Sequence, residues 1–299
     1  MSAMPEASPS LAAWNGTDLA ALLSLETVGA MHYRNRFGDA NRNGRSYGGQ
    51  VLGQAMMAAA LGVGEDRAAS AMQFMFLQGA VPDQPIDFRV TVLQEGKRFS
   101  SRHVRATQDG GRIVLDAHAS FSVPLPSPSH AVASAAFEPA PDRLPGLPEV
   151  PAPWQERLRN LSGYAFDEKA AIDFRFADLA QVDPASAEPR LRYWLKARLP
   201  LPPAPTIQVA AFAYLSDWWL NFASLAPHVR ELAGDERLYI ASLNHCIWWH
   251  RPFRCDRWLH VASSSPGAHG GRGFALADVH DEAGVLVATM SQQSLMAHA

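Results

Sequence analysis

The chain has 299 residues, 47% of them hydrophobic and 18% charged, with a formal net charge of −3. This is more length than one ordinary domain of ~100–200 residues and enough apolar material for a large core, without the Lys and Arg surplus that nucleic-acid binding requires. Two cysteines, Cys246 and Cys255, are too few for a disulfide framework, and no apolar run approaches the ~18 residues that span a bilayer. The composition therefore predicts a cytoplasmic protein with no membrane insertion.

In chain order, the N-terminal M-S-A-M-P-E-A-S-P-S lacks the basic and apolar regions of a secretory signal. The first element predicted is a helix over S-Y-G-G-Q-V-L-G-Q-A-M-M-A-A-A-L (Ser46 to Leu61). Four strand-like runs follow: A-M-Q-F-M-F-L, P-I-D-F-R-V-T-V-L, F-S-S-R-H-V-R-A-T and R-I-V-L-D-A-H-A-S-F. D-G-G joins the last two as a hairpin turn that tolerates positive φ. Nine of the 22 prolines then fall between Pro124 and Pro153. Proline lacks an amide donor and fixes φ, so this stretch reads as a linker.

The second half repeats the order. R-L-R-Y-W-L-K-A-R-L alternates as a strand, and A-A-F-A-Y-L-S-D-W-W-L-N-F-A-S-L (Ala210 to Leu225) reads as an apolar helix. Strands follow over Y-I-A-S-L-N-H-C-I-W-W-H, R-W-L-H-V-A-S-S-S, G-R-G-F-A-L-A-D-V and V-L-V-A-T-M-S-Q-Q-S-L, with D-E-A-G as the last turn. One helix and an antiparallel meander, occurring twice, make an α+β fold. A sheet wrapped around each helix accounts for the apolar character of both helices.

The boundaries are 1–125 for the first repeat, 126–168 for the linker and 169–299 for the second repeat. The halves align at a spacing of 173 across the strands (Gly111 to Gly284, Phe76 to Trp249) and 167 at the helix (Tyr47 to Tyr214). Gln50 then matches Asp217, Ala69 matches Ser242 and Ala119 matches Gln292. Each time the second half holds the more useful polar group, which predicts one working site there and a relic in the first half.

R-S-Y-G-G-Q-V-L-G-Q-A, E-G-K-R-F-S-S-R-H-V, Y-L-S-D, A-S-L-N-H-C-I-W-W-H-R-P-F, G-G-R-G-F and V-A-T-M-S-Q-Q-S-L-M occur here in one order. In that order they resemble the acyl-CoA thioesterase II family, over about residues 20–123 and 170–299. The resemblance implies a double hotdog fold, an acyl-CoA substrate, no metal or redox cofactor, and a homo-oligomer, dimer or tetramer. It implies catalytic roles for Asp217, Gln292 and, where the family has Thr, Ser242. It places Gly49 and Gln50 at the helix entrance, and Gly49, Gln50, Trp218, Gly271 and Arg272 are the candidate substrate-binding residues. One departure lies at S-A-M-Q-F-M-F-L-Q-G (Ser70 to Gly79), where the family has a His-rich strand followed by F-L-R-P-G. No histidine occurs there, and Gln78 replaces the arginine.

Thioester hydrolysis needs an oriented water, a proton acceptor and donors for the oxyanion. Asp217 can accept from water while Ser242 and Gln292 fix its position. With Asp217 at the start of its helix, the first-turn amides would favour charge on the thioester oxygen. As a plain structural residue, Asp217 would be an N-cap.

Other motifs compete for function. G-R-S-Y-G matches the G-x-S-x-G nucleophile elbow, but a polar D-A-N-R-N-G precedes Ser46 where a buried strand should stand. His245, Cys246, His250, Cys255 and His260 match no tetrahedral metal spacing. G-A-H-G-G-R-G lacks the strand-to-helix context of a dinucleotide fingerprint. The alternatives to hydrolysis are a non-catalytic acyl-CoA-binding protein and a hotdog hydratase or dehydratase; the latter has a His about five residues after its Asp, and none follows Asp217.

Overall fold

The computed structural model describes residues 11–41, 43–131, 140–152, 155, 169–182, 188–228 and 238–298. The first half contains α1 (Leu19–Leu23), β1 (Leu25–Gly29), β2 (His32–Asn35), α2 (Gly48–Ala60), β3 (Ala68–Phe76), β4 (Asp87–Glu95), β5 (Phe99–Gln108) and β6 (Arg112–Ser122). The second contains β7 (Ile172–Phe176), β8 (Arg190–Ala197), α3 (Pro205–Ser216), α4 (Phe222–Leu225), β9 (Leu238–Trp249), β10 (Leu259–His269), β11 (Arg272–His280) and β12 (Leu286–His298).

The twelve strands among the described residues join one antiparallel sheet in the order β1-β2-β4-β5-β6-β3-β9-β12-β11-β10-β8-β7. Adding six to each label of the first half gives the second half read backwards. The halves therefore meet strand to strand at β3 and β9. The 173-residue spacing is borne out in the register. Met72 lies opposite Ala119 and Phe76 opposite Leu115, as His245 lies opposite Gln292 and Trp249 opposite Ala288. Both strands also bulge at matching places, where Ser70 and Leu243 are skipped in their ladders. At the D-G-G turn, Asp109, Gly110 and Gly111 all take positive φ, and Gly284 does so in D-E-A-G. The hairpins form where the turn residues placed them.

The helix spacing needs correction. The run from Ala210 to Leu225 is not one helix. Pro205, whose fixed φ suits the first helical position, starts α3 five residues earlier, and α3 ends at Ser216. The Ser216 hydroxyl donates to the Ala213 carbonyl, and Trp219 takes φ +67 in the turn before α4. Gly48 and Pro205, the two first residues, are 157 apart rather than 167. Asp217 therefore matches Ala60, the last residue of α2, and not Gln50. The first-half counterparts of Asp217, Ser242 and Gln292 are three alanines: Ala60, Ala69 and Ala119.

The two helices run antiparallel and nearly touch. A Cβ at Gly53 would sit 2.9 Å from the Ala210 carbonyl oxygen, and one at Gly49 would collide with the Tyr214 carbonyl. Every residue from Gly49 to Ala60 is buried.

Strands β1, β2 and β7 escaped the sequence reading, as did α1. They are four or five residues long and sit at or beside the sheet edges, too short for a periodic signal. Of the proline-rich linker, residues 132–139, 153–154 and 156–168 lie outside the described residues. The described part holds 3₁₀ turns at Pro141–Arg143 and Leu147–Glu149. It is docked: Val150 is buried, and Trp258 Nε1 donates to Asp142 Oδ1 at 3.1 Å. Among the described residues no helix is long and apolar enough to cross a membrane.

Candidate active site

A cavity of about 400 Å³ opens where the N-terminus of α2 meets the C-terminus of α3. The structure brings together the three residues singled out in the second half. Gln292 on β12 donates from Nε2 to Asp217 Oδ1 at 2.6 Å and to Ser242 Oγ at 2.8 Å. The Ser242 hydroxyl donates to the same Asp217 oxygen at 3.2 Å. Leu243 is skipped in the ladder at the bulge, and Ser242 and Leu243 both line the cavity.

Asp217 does not begin its helix; it caps the C-terminal end of α3. The helix amides at this site come instead from the other half. Gly49, in the first turn of α2, donates its backbone N–H to the Asp217 carboxylate. Gly48 lies so close that a Cβ there would sit 2.5 Å from Asp217 Oδ2. Only a residue without a side chain lets the helix end approach the carboxylate this far. Gly48→Ala should therefore push the carboxylate off its position and lower kcat/KM by ~10²-fold, read by thiol release on an acyl-CoA substrate.

Burial pushes the Asp217 carboxyl up to about 6, against the hydrogen bonds from Gln292, Ser242 and Gly49 and the charge of Lys169, which pull it down. Such a group exchanges its proton near neutral pH. The Gln292 Oε1 atom is buried and has no protein partner. That leaves one free acceptor beside the carboxylate.

Around this core runs a network that local sequence could not reveal. Lys169 Nζ contacts Asp39 Oδ1 at 2.9 Å and lies 4.5 Å from the centre of the Tyr47 ring. The Tyr214 hydroxyl donates to Asp39 Oδ2 at 2.9 Å, and the Tyr47 hydroxyl donates to the Tyr214 carbonyl at 3.1 Å. Gln50 belongs here and not on the cavity wall: its Oε1 accepts from the Asp39 amide at 2.6 Å. These bonds fix the segment that enters α2, and so the position of the Gly49 amide.

Trp218 lines the cavity. Gly271 and Arg272 do not; Gly271 lies in the turn between β10 and β11, and Arg272 begins β11. The first half is more than a relic, since Tyr47, Gly48, Val51, Phe76 and Gln78 line the same cavity. Among the described residues, Arg45 and Asp217 are the formally charged ones on its wall.

Ser46 also lines the cavity, buried, yet its Oγ has no hydrogen-bond partner. It follows a turn and not a core strand, so the nucleophile-elbow context is missing. Ser46→Ala should change kcat by less than about twofold, again by thiol release, because no base is placed to activate the hydroxyl. His245 is buried against the Ser216 hydroxyl at 2.9 Å, and burial pushes it down to about 3, leaving it neutral.

The residue pattern of the acyl-CoA thioesterase N-terminal domain matches residues 38–122, and that of the C-terminal domain matches residues 141–296. The chain belongs to the acyl-CoA thioesterase family. It is 30% identical to acyl-CoA thioesterase 2 of Haemophilus influenzae, over 93% of this chain and 96% of that one. It is 28% identical to the mouse acyl-coenzyme A thioesterase 8, over 92% and 88%. Among solved structures, an acyl-CoA thioesterase II of Mycobacterium marinum superposes with a TM-score of 0.75 at 28% identity, over 94% and 97%. A hot dog fold protein of Alicyclobacillus acidocaldarius superposes at 0.71 with 16% identity, over 93% and 97%. This member of the thioesterase family is thus built on a hotdog fold.

Proposed function

We propose that the protein hydrolyses acyl-CoA thioesters to free acid and CoA, with Asp217, Ser242 and Gln292 handling the water. The observation that carries this reading is one partly buried carboxylate oxygen receiving both Gln292 and Ser242, on the wall of a cavity, with a helix N-terminus aimed at it.

The chemistry follows from the geometry. As carboxylate, Asp217 accepts a proton from a water that also donates to Gln292 Oε1, and the water oxygen attacks the thioester carbon. Gly48, at the start of α2, lines the cavity, and its amide is the donor assigned to the developing oxyanion. Collapse of the tetrahedral intermediate breaks the carbon–sulfur bond. The proton held by Asp217 then leaves with the CoA sulfur, which restores the carboxylate. The apolar lining from Phe76, Leu77, Trp219, Phe222 and Leu295 suits an acyl chain.

The same reading takes 1–125 and 169–299 as two hotdog units, each sheet half wrapped around its own helix, with 126–168 as the connection. It takes the protein as a cytoplasmic homo-oligomer acting on fatty acyl groups. Purified protein incubated with acyl-CoAs of graded chain length and a chromogenic thiol reagent should release CoA from at least one of them. Folded protein that binds acyl-CoA without releasing thiol would leave only a binding role.

A further inference from the structure

Away from the cavity, β5 and β6 place two imidazoles and a carboxylate together on the outer face of the sheet. Along β5, Arg102, Val104 and Ala106 are buried while His103 and Arg105 point the other way. Along β6, Ala117 and Ala119 are buried while Asp116 and His118 face outward. In the ladder His103 lies directly opposite His118, and Arg105 opposite Asp116, so the carboxylate is the diagonal neighbour of His103.

The three side chains offer one donor atom each, all within 4.8 Å of one another. The two imidazole rings are 4.9 Å apart, and His103 Nε2 is 2.7 Å from Asp116 Oδ1. Around a tetrahedral zinc, with metal–ligand bonds of ~2.0–2.2 Å, neighbouring donors stand roughly 3.3 Å apart. Small side-chain rotations on a rigid two-strand frame close that difference. The second oxygen of Asp116 accepts from Arg105 Nε at 2.9 Å, the kind of outer contact that orients a ligating carboxylate. Across the neighbouring strands, Thr91 faces His103, while Gln73 and Met75 face His118 and Asp116. None of these carries a positive charge; among the described residues Arg105 is the cation bonded to the cluster, and it occupies the far carboxylate oxygen.

We propose that His103, His118 and Asp116 form a binding site for a divalent transition metal of the zinc class. Two imidazoles and one carboxylate select zinc, copper, nickel or cobalt over magnesium and calcium, which prefer oxygen donors alone. Three protein ligands leave a fourth position open to solvent. The metal replaces the His103–Asp116 hydrogen bond and ties β5 to β6. None of the three residues lines the reaction cavity, so the site stands or falls apart from the thioesterase reading.

The test is zinc titration of the metal-free full chain, free of any affinity tag, against a chromophoric chelator. The expected result is one equivalent bound, with affinity reduced ~10–100-fold or more by His103→Ala, His118→Ala or Asp116→Asn, and to a lesser degree by Arg105→Ala. Zinc should also raise Tm in the unmodified protein and not in the His103→Ala/His118→Ala double variant. Unchanged thioesterase turnover in each variant shows that it is folded. Absence of stoichiometric binding, or a zinc affinity that the double variant leaves intact, overturns the site.

Discussion

Asp217→Asn should abolish most turnover and, at neutral pH, make the fold more stable. The activity loss is expected at ~10²–10⁴-fold in kcat, the usual contribution of a positioned general base. Stability moves the other way because burial raises the folded-state value of Asp217 from 3.8 to about 6. A carboxyl raised in this way stabilises the fold at low pH, where it is protonated in both states. That contribution is lost as pH rises from the unfolded value through the folded one. Above pH 6 the native protein holds a buried charge it would rather not hold, at a cost of about 3 kcal/mol, from 1.36 kcal/mol per unit of pKa. Asparagine is neutral throughout, so its advantage in denaturant unfolding should be present at pH 7.5, shrink at pH 5 and vanish below about pH 4. In the unmodified enzyme kcat/KM should fall on the acid side with an apparent pKa of about 6. A variant that keeps its turnover, or one whose stability difference does not depend on pH, would remove Asp217 from the role assigned to it.

How far the sequence foretold this site follows from which features are local. The turn chemistry of D-G-G and D-E-A-G, the strand alternation and the 173-residue spacing are written in neighbouring residues, and the registers of β3 with β6 and β9 with β12 obey them. Ser242 and Gln292 were found through that spacing and the family motifs. The helix offset was misjudged because Tyr47 and Tyr214 look equivalent, although one precedes the first turn of its helix and the other lies in the last. Both are close to Asp39, Tyr214 through its hydroxyl and Tyr47 through its amide, which the Asp39 carbonyl receives at 2.8 Å; that is a tertiary likeness and not a repeat relationship. With the offset corrected, the decay of the first-half site is plainer than the sequence suggested, since all three polar positions are alanine. The contribution of α2 to Asp217 could not be read at all. It depends on two antiparallel helices packing side by side, so that the start of one lies beside the end of the other, and Gly48–Gly49 looks alone like an ordinary helix start. Lys169 and Asp39, 130 residues apart, belong to the same class of fact.

Lys169→Met should destabilise the protein strongly and shift its pH profile, and the two effects can be separated. Lys169 and Asp39 have side chains only 9% exposed each. Removing one partner of such a pair strands the other, at about 3–5 kcal/mol. The Tyr214 hydroxyl, still bonded to Asp39, offsets part of that. Tm measured on the single variant should therefore fall by several degrees. In Lys169→Met/Asp39→Asn no buried charge is left unpaired, so most of the lost Tm should return. The catalytic effect should survive this repair. Lys169 is a cation whose field lowers the Asp217 carboxyl, and its contacts with Asp39 and the Ala40 carbonyl hold the segment that sets the Gly49 amide. The other titratable groups coupled to Asp217, Tyr47 and Tyr193, are buried and neutral, so they supply no replacement cation. Without Lys169 the acid limb of kcat/KM should move to higher pH in both variants, and less in the double one because the opposing Asp39 charge is gone too. Lys169→Arg, which keeps the cation, should leave the limb near its original place. An acid limb that stays put in the repaired double variant would reduce Lys169 to a purely structural tie between the two halves.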